Sequence, residues 1–353
     1  MRGRALIIAV FLLINCKDQV DLRGEGSIGV VVVDGKITTL PGPYELRLGL
    51  TVGIDQKPNP LQFATATIYD DLGNSEQYTE VKPGVYSVPG NFVQGMPGRA
   101  YHVEVTLQDG RRYSSKPEII PGATGVDTPS FEFSERSEFV GETEVKTHVM
   151  NIYTDSQLPP DEKDYFLRWD VLETYMFEQS PVFNPLLGGL PPPCYVDGYA
   201  DRQRITLFTT KNQHVQNLKH TLIAVRDVDF SFLARHYFHV YLSSITKESY
   251  NYWKNVDQLM NRSGLIFDTP PAPIVGNITS MSDESEKVFG YFEAANTNLA
   301  RFYVLRGDVP FSMVSYCNDP RYGPYWNGYP RECSYCLSLD NSSLTPPDWW
   351  VDD

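Results

Sequence analysis

Tyr101-His102-Val103-Glu104-Val105-Thr106-Leu107-Gln108-Asp109-Gly110-Arg111-Arg112-Tyr113-Ser114-Ser115 is the stretch from which the fold can be read. Tyr101, Val103, Val105 and Leu107 alternate with polar neighbours, the period of a strand that buries one face. Asp109-Gly110 ends the run. The pair signals a tight hairpin, with a type I′ turn expected, and Arg111 to Ser115 forms the returning strand. The same grammar repeats toward the N-terminus. Val30 to Val33 closes at Asp34-Gly35, and Tyr44, Leu46 and Leu48 share one face. Phe63 to Tyr69 and Gln77 to Val81 flank the connection Asp70-Asp71-Leu72-Gly73-Asn74. Short strands between Gly, Asp and Pro turns, without helical periodicity, predict an antiparallel β-sandwich of the immunoglobulin or transthyretin-like kind over residues 28–121.

Pro117 to Pro129, with Gly122 and Gly125, marks a domain boundary, with residues 122–130 as linker. A second antiparallel β domain follows over 131–312. Its best strands are Val149–Tyr153, Tyr165–Val171, Ile205–Phe208, Thr221–Val225 and Tyr237–Leu242. Ser180 to Pro193 holds five prolines and reads as a loop. One helix is predicted over 246–262, with Thr246 as cap, Glu248 in the first turn and Ile245 stapling onto Tyr250. Tyr250, Trp253, Val256 or Asp257, and Met260 recur at helical spacing and are expected to pack on the sheet. Residues 313–353 form a cysteine- and aromatic-rich C-terminal segment. The chain is mainly β, in two domains with a tail.

The chain has 353 residues and a formal net charge of −14, which argues against a nucleic-acid binder and against docking on anionic lipid by charge alone. Hydrophobic residues make up 41%, enough for real cores. Arg2 and Arg4 precede an apolar run from Ala5 to Ile14, too short to span a bilayer as a helix but suited to a signal peptide. The run ends at Leu13-Ile14-Asn15-Cys16, which resembles a bacterial lipobox, except that Asn15 stands where Gly, Ala or Ser is usual. Residues 1–15 are therefore expected to be a lipoprotein signal peptide and 16–27 a lipidated linker. Diacylation of Cys16 would tether the chain to the outer membrane. Lys17-Asp18-Gln19 resembles the short charged signal that sends such lipoproteins to the cell surface.

Larger pieces carry a family resemblance. They include Gly35-Lys36-Ile37-Thr38, Gly42-Pro43-Tyr44 with Leu46-Arg47-Leu48, Pro83-Gly84-Val85-Tyr86, and Gly98-Arg99-Ala100-Tyr101. Asp109-Gly110-Arg111-Arg112-Tyr113, the helix from Thr246 to Met260, Pro270-Pro271-Ala272-Pro273, Gly290-Tyr291-Phe292 and Pro347-Asp348-Trp349 continue it. In order and spacing the chain resembles the Bacteroidota lipoprotein family called domain of unknown function 4249. That family has no assigned reaction, and its genes generally sit beside those of TonB-dependent outer-membrane receptors. The resemblance thus implies an accessory, non-catalytic partner of such a receptor in nutrient uptake.

With Cys16 assigned to the lipid, Cys194, Cys317, Cys333 and Cys336 remain. In an exported protein an even four suggests two disulfides, in any of three pairings. A zinc site on Cys333-x-x-Cys336 or a redox-active pair is the rival reading. Catalytic constellations fall short. His236 and His239 sit three apart on a strand, hence on opposite faces, and His102, His148, His214 and His220 show no partner set. Asp283-Glu284 with Glu286 lacks the alternation and glycine of a calcium loop. No phosphate loop, nucleophile elbow or H-E-x-x-H motif occurs. No cofactor or metal is expected. The candidate contact residues for a partner or ligand are aromatics in irregular segments: Tyr195 and Tyr199, and Tyr322, Tyr325, Trp326 and Tyr329. A structural or adhesive surface lipoprotein, or a polymer hydrolase with an unseen acid/base pair, is the alternative.

Overall fold

The computed structural model describes residues 29–53, 56–57, 59–122, 124–141, 143–160, 164–179, 192–211, 215–261, 274–319 and 330–351. Its organising element is the strand Phe292–Val304. Phe292 to Ala295 pair parallel with Gly35 to Thr38, and Asn296 to Val304 pair antiparallel with His236–Ser244. One strand therefore joins both halves of the chain in a single 12-stranded sheet. From one edge the sheet runs Ser342–Ser343, Cys194–Tyr199, Phe166–Phe177, His236–Ser244, Phe292–Val304, Val31–Thr38, Tyr44–Leu50, Val85–Val88 and Thr79–Lys82.

The N-terminal half of this sheet packs on a 6-stranded sheet containing Thr65–Asp70, Ala100–Thr106 and Arg112–Ser115. Period-two alternation builds the core between them. Val31, Val33 and Ile37 face Ile68, Tyr101, Val103 and Val105, all nearly inaccessible to water. The fold is mainly β, with a sandwich at the N-terminus as expected. Its boundary differs from residue 121, because Ile278, Val288, Phe292 and Ala294 return to the same core. Ile278–Ser280 adds to the Arg112–Ser115 edge and Val288–Phe289 pairs with Val31 and Val32. The first strand would otherwise leave a buried edge unpaired.

At Asp109-Gly110 the hairpin forms, but the turn is not type I′. Gly110 alone is left-handed, at φ 87°, and Asp109 is not among the described non-glycine residues with positive φ. Gly110 N donates to Leu107 O and Leu107 N to Arg111 O, the pattern of a type I turn closed by a glycine bulge. Farther back, Ser75–Gln77 and Thr79–Lys82 replace one expected strand and join different sheets, with Tyr78 buried at the crossing.

The second core lies between the 12-stranded sheet and a 3-stranded sheet of Val126–Val140, Thr143–Gln157 and Asn217–Asp227. Leu167, Trp169 and Val171 meet Phe238, Val240 and Leu242 on the face toward Met150 and Ile152. The helix spans Lys247–Met260, and Thr246 accepts from Ser249 N at 3.1 Å as its cap. Of the expected stripe, Tyr250, Trp253, Val256 and Asp257 are half-buried, with Tyr250 packed on Phe166, whereas Met260 is exposed. Ser249, outside that stripe, is fully buried for a polar reason: Ser249 Oγ and Trp253 Nε1 both donate to Glu293, at 2.6 and 2.7 Å.

Candidate functional site

The strand Cys194–Tyr199 organises one edge of the 12-stranded sheet. Cys194 is disulfide-bonded to Cys336, and Cys317 to Cys333. Ser342–Ser343 pairs with Tyr195 and Val196, and Asp197 N donates to Asn341 O at 3.2 Å. Trp350 packs edge-on against Tyr195, ring centroids 4.8 Å apart. Covalent, backbone and aromatic contacts thus fix the C-terminal segment onto the second domain. Of the three pairings open to the sequence, the structure selects this one, and both cysteines of the Cys333-x-x-Cys336 pair are consumed by disulfides.

Beside this edge opens a cleft of about 1010 Å³. The 196–207 stretch forms one wall, the 225–230 stretch another, and Leu339, Asp340 and Asn341 of the tail a third. Seven carboxylates and four arginines line it. Most are already paired. Arg136 bonds Asp227 at 3.0 Å, and Arg226 bonds Glu173 at 2.7 Å and Asp229 at 3.0 Å. Asp197 accepts from Thr174 Oγ1, Asp201 from the amides of Gln203 and Val225, and Asp257 from Asn261. Arg204 donates to Thr206 Oγ1 and Leu222 O. Tyr199, Arg202, Gln203, Asp340 and Asn341 are exposed, and their side chains make no hydrogen bond to a described residue.

Against the cleft wall lies a trio that imitates a hydrolase. His236 Nε2 is 3.2 Å from Glu173 Oε2, and His236 Nδ1 is 3.4 Å from Ser231 Oγ. All three residues are buried: Ser231 is 1% exposed and His236 0%, so a substrate carbonyl cannot reach the hydroxyl. Ser231 Oγ moreover donates to Asp229 Oδ1 at 2.6 Å rather than to the imidazole. Burial alone would raise the Glu173 pKa, but His236 and then Arg226 outweigh it and bring it down to about 2. Burial also lowers the pKa of His236, which stays neutral and donates to Glu173. The trio is a clamp between strands.

A second ionic group lies where the two halves meet. Arg168 NH2 bonds Asp170 at 2.9 Å and Glu293 at 3.2 Å, and Lys36 bonds the same two acids at 3.3 and 3.4 Å. The Arg168 guanidinium lies 4.2 Å above the Trp253 ring. Sequence reasoning passed over these residues. The signal available was a charge between apolar neighbours in a strand, as in Leu167-Arg168-Trp169 and Phe292-Glu293-Ala294. The acidic stretch at 283–286 is also more tied down than expected, since Glu286 accepts from Arg111 at 3.0 Å and Tyr113 at 2.8 Å. Among the described residues no group of three or more His, Cys, Asp or Glu side chains is placed to hold a metal ion.

Of the candidate contact residues, Tyr199 is 48% exposed in the cleft, whereas Tyr195 is 8% exposed and packs the tail. Tyr322, Tyr325, Trp326 and Tyr329, and Cys16 with the signal segment, lie outside the described residues. His236 and His239 take opposite faces of their strand. His239 accepts from Arg301 Nε at 2.9 Å and meets Thr174 Oγ1 at 3.2 Å.

The family model described as a domain of unknown function, DUF4249, matches residues 18–300. The chain belongs to this family. The DUF4249 match takes in the first core, most of the second and the whole Cys194–Tyr199 strand, and stops before the disulfide-bonded tail that completes the cleft. No curated protein and no solved structure matches the chain. Among the described residues, no helix is long and apolar enough to cross a membrane.

Proposed function

We propose that this DUF4249 member is an outer-membrane, cell-surface lipoprotein, tethered through Cys16, that serves as a non-catalytic binding partner of a TonB-dependent receptor in nutrient uptake. The observation that carries the reading is the open cleft at the edge of a sheet that runs through both halves of the chain. It offers exposed Tyr, Arg, Gln, Asn and Asp side chains while the one triad-like group beside it is sealed, an arrangement suited to holding a ligand rather than cleaving it. The signal-peptide pattern ending at Cys16 supports the tether.

The test is fractionation followed by co-purification. Wild-type protein sediments with outer membranes and brings down a large TonB-dependent receptor, whereas Cys16→Ser leaves the membrane fraction or accumulates as uncleaved precursor. An unmodified Cys16 peptide by mass spectrometry would refute the tether. Wild-type protein that captures no outer-membrane receptor would refute the partnership.

A further inference from the structure

The charge inventory of the cleft narrows what it can hold. Seven carboxylates face four guanidiniums, so the lining is net negative and repels an anionic ligand. Six of the seven carboxylates already accept hydrogen bonds or ion pairs from protein groups, which leaves Asp340 as the one without a donor among the described residues. A single uncommitted carboxylate in a lining that also carries Arg202 is no cage for a cation either. The remaining exposed groups whose side chains make no hydrogen bond to a described residue are Tyr199, Gln203 and Asn341. Each is planar, and together with Asp340 and Arg202 they present both donors and acceptors.

Such a set matches a ligand whose every polar group is at once donor and acceptor and carries no charge. Vicinal hydroxyls fit it, because one planar amide, carboxylate or guanidinium can address two neighbouring oxygens. The C–H face of a pyranose ring can lie on the half-exposed Tyr199 ring. At about 1010 Å³ the cleft stands at the upper end of the roughly 300–1,000 Å³ typical of small-molecule sites, room for several linked sugar rings. We propose that this cleft is a binding site for a neutral oligosaccharide, held by Tyr199, Arg202, Gln203, Asp340 and Asn341. The proposal deepens the binding-partner reading above and rests on it for its biological setting.

The experiment uses the full chain purified in detergent, without receptor. Titration calorimetry is run against maltohexaose, cellohexaose, laminarihexaose, xylohexaose and mannohexaose, with oligogalacturonate and a tryptic peptide mixture as competing chemistries. At least one neutral oligosaccharide binds with a Kd of about 0.1–1 mM, the range of an open, wet site. Tyr199→Ala and the pair Gln203→Ala with Asn341→Gly each weaken it at least about tenfold, roughly 1.4 kcal/mol. These positions are exposed, and glycine suits the left-handed backbone of Asn341 at φ 56°, so thermal midpoints stay at the wild-type value. Absence of binding by all five neutral sugars, binding confined to oligogalacturonate or peptide, or binding indifferent to Tyr199→Ala would each overturn the proposal. Receptor co-purification is scored separately: sugar binding without a receptor sinks only the partnership, and a receptor without sugar binding sinks only the ligand class.

Discussion

Acidification should weaken this protein through His239. Its Nδ1 accepts from Arg301 Nε at 2.9 Å. Its Nε2 faces Thr174 Oγ1 at 3.2 Å, and the Thr174 hydrogen goes to Asp197 Oδ1 at 2.6 Å. These partners assign the proton to Nε2, and a second proton on Nδ1 would point at a guanidinium. Burial first, and then the positive charge of Arg301, lowers the His239 pKa from 6.5 to about 4. Between those values the unfolded chain binds the proton and the folded chain does not, so stability falls as pH drops from about 6.5 to about 4. At about 1.4 kcal/mol per pH unit the full loss is about 3 kcal/mol, of which about 2 kcal/mol is gone by about pH 5. Urea unfolding of wild type and His239→Gln at about pH 7 and about pH 5 reads this directly. The wild type should lose about 2 kcal/mol more than the variant between the two conditions. Equal losses would refute the assignment, because the other titrating groups, His236 included, are present in both proteins.

Glu293→Ala removes the acceptor shared by Ser249 and Trp253 and an ion-pair partner of buried Arg168, so it should destabilise by about 3–5 kcal/mol in urea unfolding; a loss under about 1 kcal/mol would show that the group carries little stability. The Cys194–Cys336 bond spans 142 residues and the Cys317–Cys333 bond 16, so replacing the first pair by alanine should cost about 4–5 kcal/mol and the second about 3 kcal/mol. The reverse order would refute a loop-closure origin. Non-reducing peptide mapping should recover these two linkages, and four alkylatable thiols would exclude them. Below pH 4.5 a further acid loss follows, since the folded pKa values of Glu173 and Asp170 sit at about 2. Stability from these two groups is complete above the unfolded values and disappears as pH falls through about 2, and a flat profile over that window would contradict both pairings.

What was legible in the sequence is what local chemistry decides. The alternation of Tyr101, Val103 and Val105, the strand that returns through Tyr113, and the Thr246 cap all stand where the pattern put them. The turn at Asp109-Gly110 shows the limit of that grammar. Asp-Gly fits a two-residue turn or a bulged three-residue one, and the register Thr106 with Arg112 selects the second. Non-local pairings were invisible. Phe292 to Ala295, apolar apart from Glu293, would suit either core, and only its parallel register on Gly35 to Thr38 assigns it to the first. The same distance in sequence hid the ionic group, because Lys36, Arg168 and Glu293 come from three remote strands. Of the two aromatic candidates on this strand, Tyr199 lines the cleft and Tyr195 is buried, because the ring that packs on it, Trp350, lies far along the chain. Arg202 and Gln203 read as ordinary loop residues until the tail stands opposite them.

The tail wall of the cleft also constrains when the site can exist. Ser342–Ser343 is a two-residue strand and cannot hold a segment in place by backbone bonds alone. What holds it is a small core of Phe177, Cys194, Val196, Cys317, Cys333 and Cys336, with Phe230 and Tyr316 packed on it. Phe230 belongs to that core and to the cleft lining at once, and its ring sits 4.9 Å from Tyr316 and 6.0 Å from Phe177. Four of the six buried members of this core are the disulfide cysteines, so the hydrophobic contacts alone are too few to order it. A chain with reduced thiols should therefore keep both β cores while the wall that carries Leu339, Asp340 and Asn341 loosens, held then only by the packing of Trp349 and Trp350 on Tyr195 and Tyr237 and by backbone bonds. In the export route proposed above, the cysteines would be oxidised after export and the cleft would take its final shape outside the cytoplasm, where the proposed oligosaccharide would be met. Because the DUF4249 match ends at residue 300, this wall comes from beyond the matched residues. A relative with a different tail would share the scaffold and present a different cleft.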